Sequence, residues 1–380
     1  MTAGVCMDYI VPRNTLMKLL EITRYLESRA PLSLQESYDN SGLLIGDPEM
    51  DIHGALVCLD SIEEVIDEAI SKGLNLVVAH HPIVFSGLKR FTGKTYIERV
   101  VMKAIRHNIA LYAIHTNLDN VLDGVNGKIA ARLGLVNARI LDEKKELLYK
   151  LHVLVPTAQA KSLANRLYEA GAGHIGNYSE CSFSTEGTGS FKANEQANPH
   201  IGAKGERHYE AETKIEVILA KWQINQVLAA MRKHHPYEEV AYDLLALENQ
   251  SNQFGSGIVG ELAEPMDSMA ALRYVKEKLG VSVIRHTPIA TPTIKRIAAC
   301  GGSGSFLLSA AKSSGADLFI TSDYKYHQFF DAENKLIIAD IGHFESEQYT
   351  IDLISDWLAE KFPNFAVHKT EVVTNPINYL

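Results

Sequence analysis

Leu74-Asn75-Leu76-Val77-Val78-Ala79-His80-His81-Pro82 is an apolar run about one strand long that stops on two imidazoles and a proline. A run without polar alternation reads as a strand buried on both faces, as in a parallel sheet covered by helices. The same pattern repeats on either side. Ala55 to Leu59 is another buried strand, and Ser61 opens a helix through Ile70 with Glu63 and Glu64 in its first turn. Downstream, a helix over 95–107, a strand over 109–114 and a helix over 126–133 continue the alternation. Upstream, Leu16, Leu19, Leu20, Ile22 and Leu26 fall at helical spacing within 14–28, with Asn14 as cap and Pro31 as stop. Turn chemistry over Glu36 to Gly42 then leads into a short strand, Leu43 to Gly46. Strands alternating with helices define an α/β layer with a mostly parallel sheet.

The rhythm changes at Asp142-Glu143-Lys144-Lys145-Glu146. A strand over 148–155, a helix over 158–170, hairpin or long-loop material over 173–209, a strand over 212–220, a helix over 223–234 and a strand over 239–247 follow. That is a β-α-β-β-α-β unit, the ferredoxin-like order. Asn249-Gln250-Ser251-Asn252-Gln253 reads as a linker, after which the α/β pattern resumes and ends in a strand over 336–340 and a helix over 344–361. The expected organisation is a core split in sequence: residues 1–146 and 249–380 form it, and an α+β domain over 147–248 is inserted.

Composition narrows the function. The 380 residues are 46% hydrophobic and 22% charged, ordinary for a folded soluble chain. Lys+Arg 37 against Asp+Glu 46 leaves a net charge of −9, which argues against a broad nucleic-acid or anionic-membrane footprint. Cys6, Cys58, Cys181 and Cys300 are scattered, with no CxxC pair for a thiolate zinc site, as expected in a reducing cytoplasm. No apolar run reaches the roughly 18 residues of a membrane span, and no signal peptide is evident. The expectation is a soluble cytoplasmic protein. Its 15 histidines exceed the roughly 8 or 9 of average usage, so their convergence is the useful question.

Three strand ends carry the candidates. His80 and His81 follow one strand, where ligands collect in open α/β sheets. Adjacent strand residues point to opposite faces, so both serve one centre only if the strand has ended, which Pro82 marks. The alternative is a loop pair capping strand carbonyls. His115 and Asp119 follow the strand over 109–114, where Asp119 either ligates, fixes a tautomer or caps the next helix. His343 and Glu347 follow the strand over 336–340 at a spacing of four, one helical turn apart on a shared face. Glu345 points elsewhere, and a first-turn glutamate also favours the helix dipole without any metal. Imidazole with carboxylate suits Zn, Fe, Mn or Co better than Ca or Mg. Five or six ligands exceed one tetrahedral site, which points to two ions with Glu347 able to bridge.

The sequence resembles the Nif-three-like dinuclear metal-centre hexameric proteins, known as GTP cyclohydrolase I type 2 homologs. The resemblance runs from about residue 14 onward. It rests on Tyr38-Asp39-Asn40-Ser41-Gly42-Leu43, His80-His81-Pro82, His115-Thr116-Asn117-Leu118-Asp119, Gly301-Gly302-Ser303-Gly304, Thr321-Ser322-Asp323-Tyr324-Lys325-Tyr326-His327 and Gly342-His343-Phe344-Glu345-Ser346-Glu347. It implies a metal pair held by His80, His81, Asp119, His343 and Glu347, with His115 sometimes counted, and a ring-shaped homohexamer whose cavity the metal sites face. Ala172 to Tyr178 and His235-Pro236-Tyr237-Glu238-Glu239 resemble the trimeric CutA/PII-like insert of longer members. Tyr38, Ser41 and the 322–324 segment depart from the family's more frequent Trp, Val and Gly-Asp-Ile, which bears on the pocket wall and leaves the ligands untouched.

The resemblance implies a metal-dependent hydrolase of a nucleotide or related small molecule, carrying two divalent ions (Zn, Fe or Mn) per chain. The rival is a non-catalytic metal-binding regulatory or scaffold hexamer with a ligand-sensing insert. No catalytic residue is assigned. Gly301 to Ser305 reads either as a phosphate nest or as a tight turn, since a P-loop ending is missing. Asp323, Lys325 and His327 are available to support the ligands or to line the surface. His234-His235-Pro236 repeats the letters of His80-His81-Pro82 without flanking partners and reads as a decoy.

Overall fold

Four short β-branched or aliphatic segments, Gly54–Cys58, Leu76–Ala79, Ala110–Ala113 and Ala366–Lys369, pair in parallel in the order 366–369, 54–58, 76–79, 110–113. Gly42–Ile45 closes the far edge antiparallel to Ala110–Ala113. The structure is a computed structural model that describes residues 16–380; Cys6 and the expected cap Asn14 lie outside the described residues. The described first helix is Leu19–Arg29, preceded by a two-residue strand, Met17–Lys18, on Asp51–Ile52. The three central strands are buried along their whole length, which is why their sequences lack polar alternation. Helices Glu63–Ser71 and Tyr96–Arg106 cover them, and Leu56, Val77, Val65, Ile66, Val100 and Ala104 share one core.

The later α/β segments build a second sheet, of six strands, in the order 285–286, 337–340, 318–322, 293–303, 255–267, 136–143. Its edge strand, Arg285–His286, is only two residues long. The core is therefore not one parallel sheet. Two sheets each contribute strand ends, and a mixed one carries the third ligand cluster. Its two faces bury separate cores, Ile297, Leu318 and Ile337 on one side and Ala298, Phe319 and Ile338 on the other. Alternating residues of the same strands thus face two apolar layers, as a covered sheet requires.

The expected terminal helix over 344–361 is interrupted: His343–Glu347 and Thr350–Lys361 are separate helices. No helix among the described residues is long and apolar enough to cross a membrane.

The chain divides into two compact units, one of the described residues to Asp142 with Asn252–Leu380, the other Glu143–Ser251. The second unit is a four-stranded antiparallel sheet in the order 242–246, 148–156, 207–220, 182–192. Within 173–209, expected as hairpin or long loop, Ser182–Lys192 forms a hairpin with Arg207–Ala220, which extends the strand expected over 212–220. Helices Ala160–Glu169 and Ile224–His234 pack Leu163, Leu167, Val227 and Met231 against Leu151, Val153, Ile215 and Val217.

Candidate metal centre

His80 and His81 begin where Leu76–Ala79 ends, and their backbone N–H groups donate to Cys58 and Leu59 carbonyls. The strand has ended, so both rings can turn to one side; their centroids lie 4.9 Å apart. His115 joins them from the next strand end, 5.3 Å from His80 and 5.4 Å from His81. From the other sheet, the helix His343–Glu347 brings in an imidazole and a carboxylate one turn apart. Asp119 closes the group from the helix after His115.

Each imidazole is gripped at Nδ1 by an oxygen. His80 Nδ1 donates to the Ile114 carbonyl at 2.8 Å, and His81 Nδ1 to Asp60 Oδ1 at 2.8 Å. His115 Nδ1 donates to Asp39 Oδ1 at 2.8 Å, and His343 Nδ1 to Asp323 Oδ2 at 2.6 Å. Fixing the proton on Nδ1 leaves Nε2 as the lone-pair nitrogen, the arrangement by which outer carboxylates and carbonyls orient metal-binding histidines. All four histidines belong to groups of candidate donors whose ligand atoms lie within 4.8 Å of one another: His80, His81, His115; His81, His343, Glu347; and His80, Asp119, Glu347.

Glu347 joins two of those groups. Its Oε2 lies 2.9 Å from His81 Nε2 and 3.1 Å from His343 Nε2, while its Oε1 lies 3.8 Å from His80 Nε2. Asp119 Oδ1 is 3.7 Å from His80 Nε2. Both of these last atoms are buried and find no hydrogen-bond partner. Leaving polar atoms so is costly, and the spacing is too long for a hydrogen bond between them. Two donors each about 2.1 Å from one tetrahedral ion stand roughly 3.4 Å apart, so the pair is spaced for a shared cation. The donor set therefore fits a transition-metal ion.

The electrostatics agree. Burial raises the Asp119 pKa, whereas burial of Glu347 is overridden by the imidazoles of His343, His80 and His81 around it, which hold its carboxyl well below the usual range. Burial lowers the His81 pKa, but Asp60 and Glu347 outweigh it and carry it to about 9. For His343, burial is likewise outweighed, by Asp323 and Glu347, which carry it to about 11. This is a pocket of negative charge arranged to hold positive charge.

The glycine loop has a different role from the anion nest weighed in the sequence. The Gly301 N–H donates to Asn126 Oδ1, that of Gly302 to Ser346 Oγ and that of Gly304 to Thr321 Oγ1, all at 2.9 Å. Those donors are already satisfied. A Cβ on Gly302 would lie 2.3 Å from Glu347 Oε1, so the loop is glycine because the carboxylate lies against it. Glu345 turns away from the cluster, its Oε1 accepting from Asn375 Nδ2 at 3.0 Å. Of the 321–327 segment, Asp323 supports His343, while Lys325 and His327 line neither recess beside the centre. His235 is held by the Leu154 carbonyl and the Tyr237 N–H and joins no metal-donor cluster among the described residues. Sequence reasoning missed Asp39 and Asp60, whose partners His115 and His81 lie 76 and 21 residues away.

Two recesses open beside the cluster. One, of about 360 Å³, is lined by Asp60, His81, Pro82, Phe85, Phe344 and Ile377. The other, of about 220 Å³, is lined by Tyr38, Asp119, Asn120, Asn126, Ser256 and Phe306 among others. Neither is lined by a lysine or arginine among the described residues.

The model of the Duf34/NIF3 (NGG1p interacting factor 3) family matches residues 17–376. A GTP cyclohydrolase 1 type 2 homolog of Halalkalibacterium halodurans is 39% identical over 364 residues, covering 94% of this chain and 98% of its own. A protein of the same name from Staphylococcus epidermidis is 33% identical over 96% of this chain and all of its own. Among solved structures, a Bacillus cereus protein related to NIF3 superposes with a TM-score of 0.84 at 35% identity, over 96% of this chain and 100% of that one.

Proposed function

The chain belongs to the Duf34/NIF3 family, and on that premise we propose that it binds two divalent metal ions and hydrolyses a nucleotide or related small heterocycle, in a GTP cyclohydrolase-like reaction. The observation that carries this reading is the sharing of Glu347: its Oε2 meets His81 and His343, and its Oε1 faces His80 and Asp119. His80, Asp119 and Glu347 would hold one ion, and His81, His343 and Glu347 the other, with His115 beside His80 and His81. Zn, Fe or Mn suits this nitrogen and oxygen set. Such ions supply Lewis acidity, which lowers the pKa of water toward neutrality and polarises the oxygens of a reacting group.

The chain's own residues do the rest. Asp60, Asp39 and Asp323 hold the Nδ1 sides of His81, His115 and His343, so the inward nitrogens face the ions, which would displace any proton there. Phe85, Pro82 and Phe344 give one recess an apolar wall on which a planar ring can lie, and Asn120, Asn126 and Ser256 offer hydrogen bonds in the other. Because no lysine or arginine among the described residues lines either recess, a phosphate group would rely on the ions for its countercharge once the imidazoles hold metal.

The same proposal includes a homohexamer with the metal sites facing an enclosed cavity, a CutA/PII-like identity for the insert, and a cytoplasmic location. The scattered cysteines, Cys58, Cys181 and Cys300, are free, which supports a reducing setting. Metal-loaded protein assayed against a panel of nucleotides, nucleosides and free bases tests the reading. Turnover lost in His80→Ala and Glu347→Ala supports an enzyme. Absence of turnover across the panel favours the rival, a metal-binding regulatory assembly.

A further inference from the structure

We propose that Thr374 and Asn375 are positioning residues of the metal centre, two arms of one brace that the C-terminal segment throws across its ligands. Thr374 acts through Asp60 on His81, and Asn375 acts through Glu345 on the helix that carries His343 and Glu347. The inference rests on the two-ion reading above.

The brace starts from a fixed point. Ala366–Lys369 is the edge strand of the first sheet, paired in parallel with Gly54–Cys58. Beyond its end the Thr370 N–H donates to the Val57 carbonyl at 2.9 Å, and the Glu371 N–H to Glu68 Oε1 at 3.0 Å. Val372 then packs against the core of that sheet. The chain is therefore tied to the first sheet before it reaches Thr374, which is buried.

The first arm is a relay of two hydrogen bonds. Thr374 Oγ1 donates to Asp60 Oδ2 at 2.6 Å, and Asp60 Oδ1 meets His81 Nδ1 at 2.8 Å. Each Asp60 oxygen has its own partner. A carboxylate held at one oxygen can still rock about its broad terminal torsion, and the imidazole on it rocks too. The Thr374 hydroxyl removes that freedom, so the orientation of His81 is set two bonds away.

The second arm reaches the other sheet's ligands. Asn375 Nδ2 donates to Glu345 Oε1 at 3.0 Å, and Asn375 Oδ1 accepts from the Ile377 N–H at 3.0 Å, so the amide is held at both ends. Pro376 between them fixes its own φ and disfavours helical backbone at Asn375. Glu345 is buried and stands between His343 and Glu347 in one five-residue helix. Its Oε2 rests against Gly342, where a Cβ would fall 2.2 Å away. Adjacent residues of one anchored segment thus grip both sides of the centre. Together they set the approach of His81 to His343, whose Nε2 atoms stand 3.3 Å apart.

Titration of the full chain with Co²⁺, read by visible absorption and by competition with a chelator of known affinity, tests this. The variants are Thr374→Val and Asn375→Leu, which keep approximate shape and remove the donors, with Thr374→Ser as the rescue. Thr374→Val should weaken one of two Co²⁺ ions about threefold to tenfold, shift its absorption, and leave the other within about twofold. Thr374→Ser should restore both properties, and Asn375→Leu should weaken the same ion. A merely structural role would lower the melting temperature of Thr374→Val while the folded protein kept wild-type cobalt affinity and spectrum, and that result overturns the proposal. A defect that Thr374→Ser fails to restore overturns it too. Asn375→Leu carries the same test should Thr374→Val fail to fold. Wild type that takes up no cobalt overturns the two-ion reading and the brace with it; two ions in wild type with unmoved variants overturn the brace alone.

Discussion

His81 Nε2 and His343 Nε2 face each other at 3.3 Å, and Glu347 Oε2 lies within 3.1 Å of both. One ring enters from the end of a parallel sheet and the other from a helix following a different sheet. Asp60 and Asp323 hold the Nδ1 atoms, so two Nε2 atoms and a carboxylate oxygen converge on one point. Positive charge, carried by protons on the rings or by a cation that replaces them, makes that convergence favourable.

The carboxylates of one short helix separate by role. Glu347→Gln is expected to abolish one or both metal ions, since both carboxylate oxygens face donor groups. Glu345→Gln should leave metal content near two and stability within about 1 kcal/mol, because its carboxylate meets Asn375 instead. Elemental analysis of both variants checks this; a Glu345 variant stripped of metal beside an intact Glu347 variant would invert the assignment.

Asp60 and Asp323 act on metal through the imidazoles they hold. Asp60→Asn and Asp323→Asn should each weaken metal retention about tenfold to a hundredfold with every ligand still present. Competition with a chelator of known affinity measures it, and retention equal to wild type would show that the rings hold their orientation unaided.

Gly302→Ala adds a methyl 2.3 Å from Glu347 Oε1, at a residue whose φ is +64°. The backbone strain alone costs roughly 1–2 kcal/mol, and the carboxylate must move. The variant should lose thermal stability and metal together. A variant that keeps its full metal content would show that Glu347 tolerates displacement.

The pH dependence of the insert is set in part by His235. Its Nε2–H donates to the Leu154 carbonyl at 2.8 Å, and its Nδ1 accepts from the Tyr237 N–H at 3.1 Å, so the folded ring is neutral. Burial lowers its pKa, and the Leu154 carbonyl and Glu212 offset this only in part. The unfolded ring, near 6.5, then takes a proton first on acidification. Its contribution is present above about pH 6.5 and is lost as pH falls toward the folded value. Hydrogen exchange of residues 143–251 between about pH 7.5 and about pH 5 should show wild type losing more protection than His235→Gln. Parallel losses would remove His235 from the account.

The parts of this site legible in the sequence are those encoded locally. An unalternating strand that stops at His80-His81-Pro82, and a His343–Glu347 spacing of one turn, need only short-range geometry. The division into two sheets was not legible, because strands of either sheet are equally apolar and their partners are set by long-range pairing. Val136–Glu143 is mostly exposed and shows no buried-strand run, so it escaped notice, yet it forms an edge of the second sheet. The helix break at Gln348 and Tyr349 carries no glycine or proline to announce it. Asp39 lay within turn chemistry and Asp60 after a strand end; their roles depend on where His115 and His81 arrive. The glycine loop was noticed for phosphate, whereas its small residues make room for Glu347.

The central claim is that two metal ions share Glu347. Metal analysis of gently purified wild-type protein, repeated after chelation and reconstitution with Zn, Fe or Mn, tests it most directly. The account predicts about two ions per chain, restored on reconstitution. No metal as purified and no uptake afterwards would contradict it.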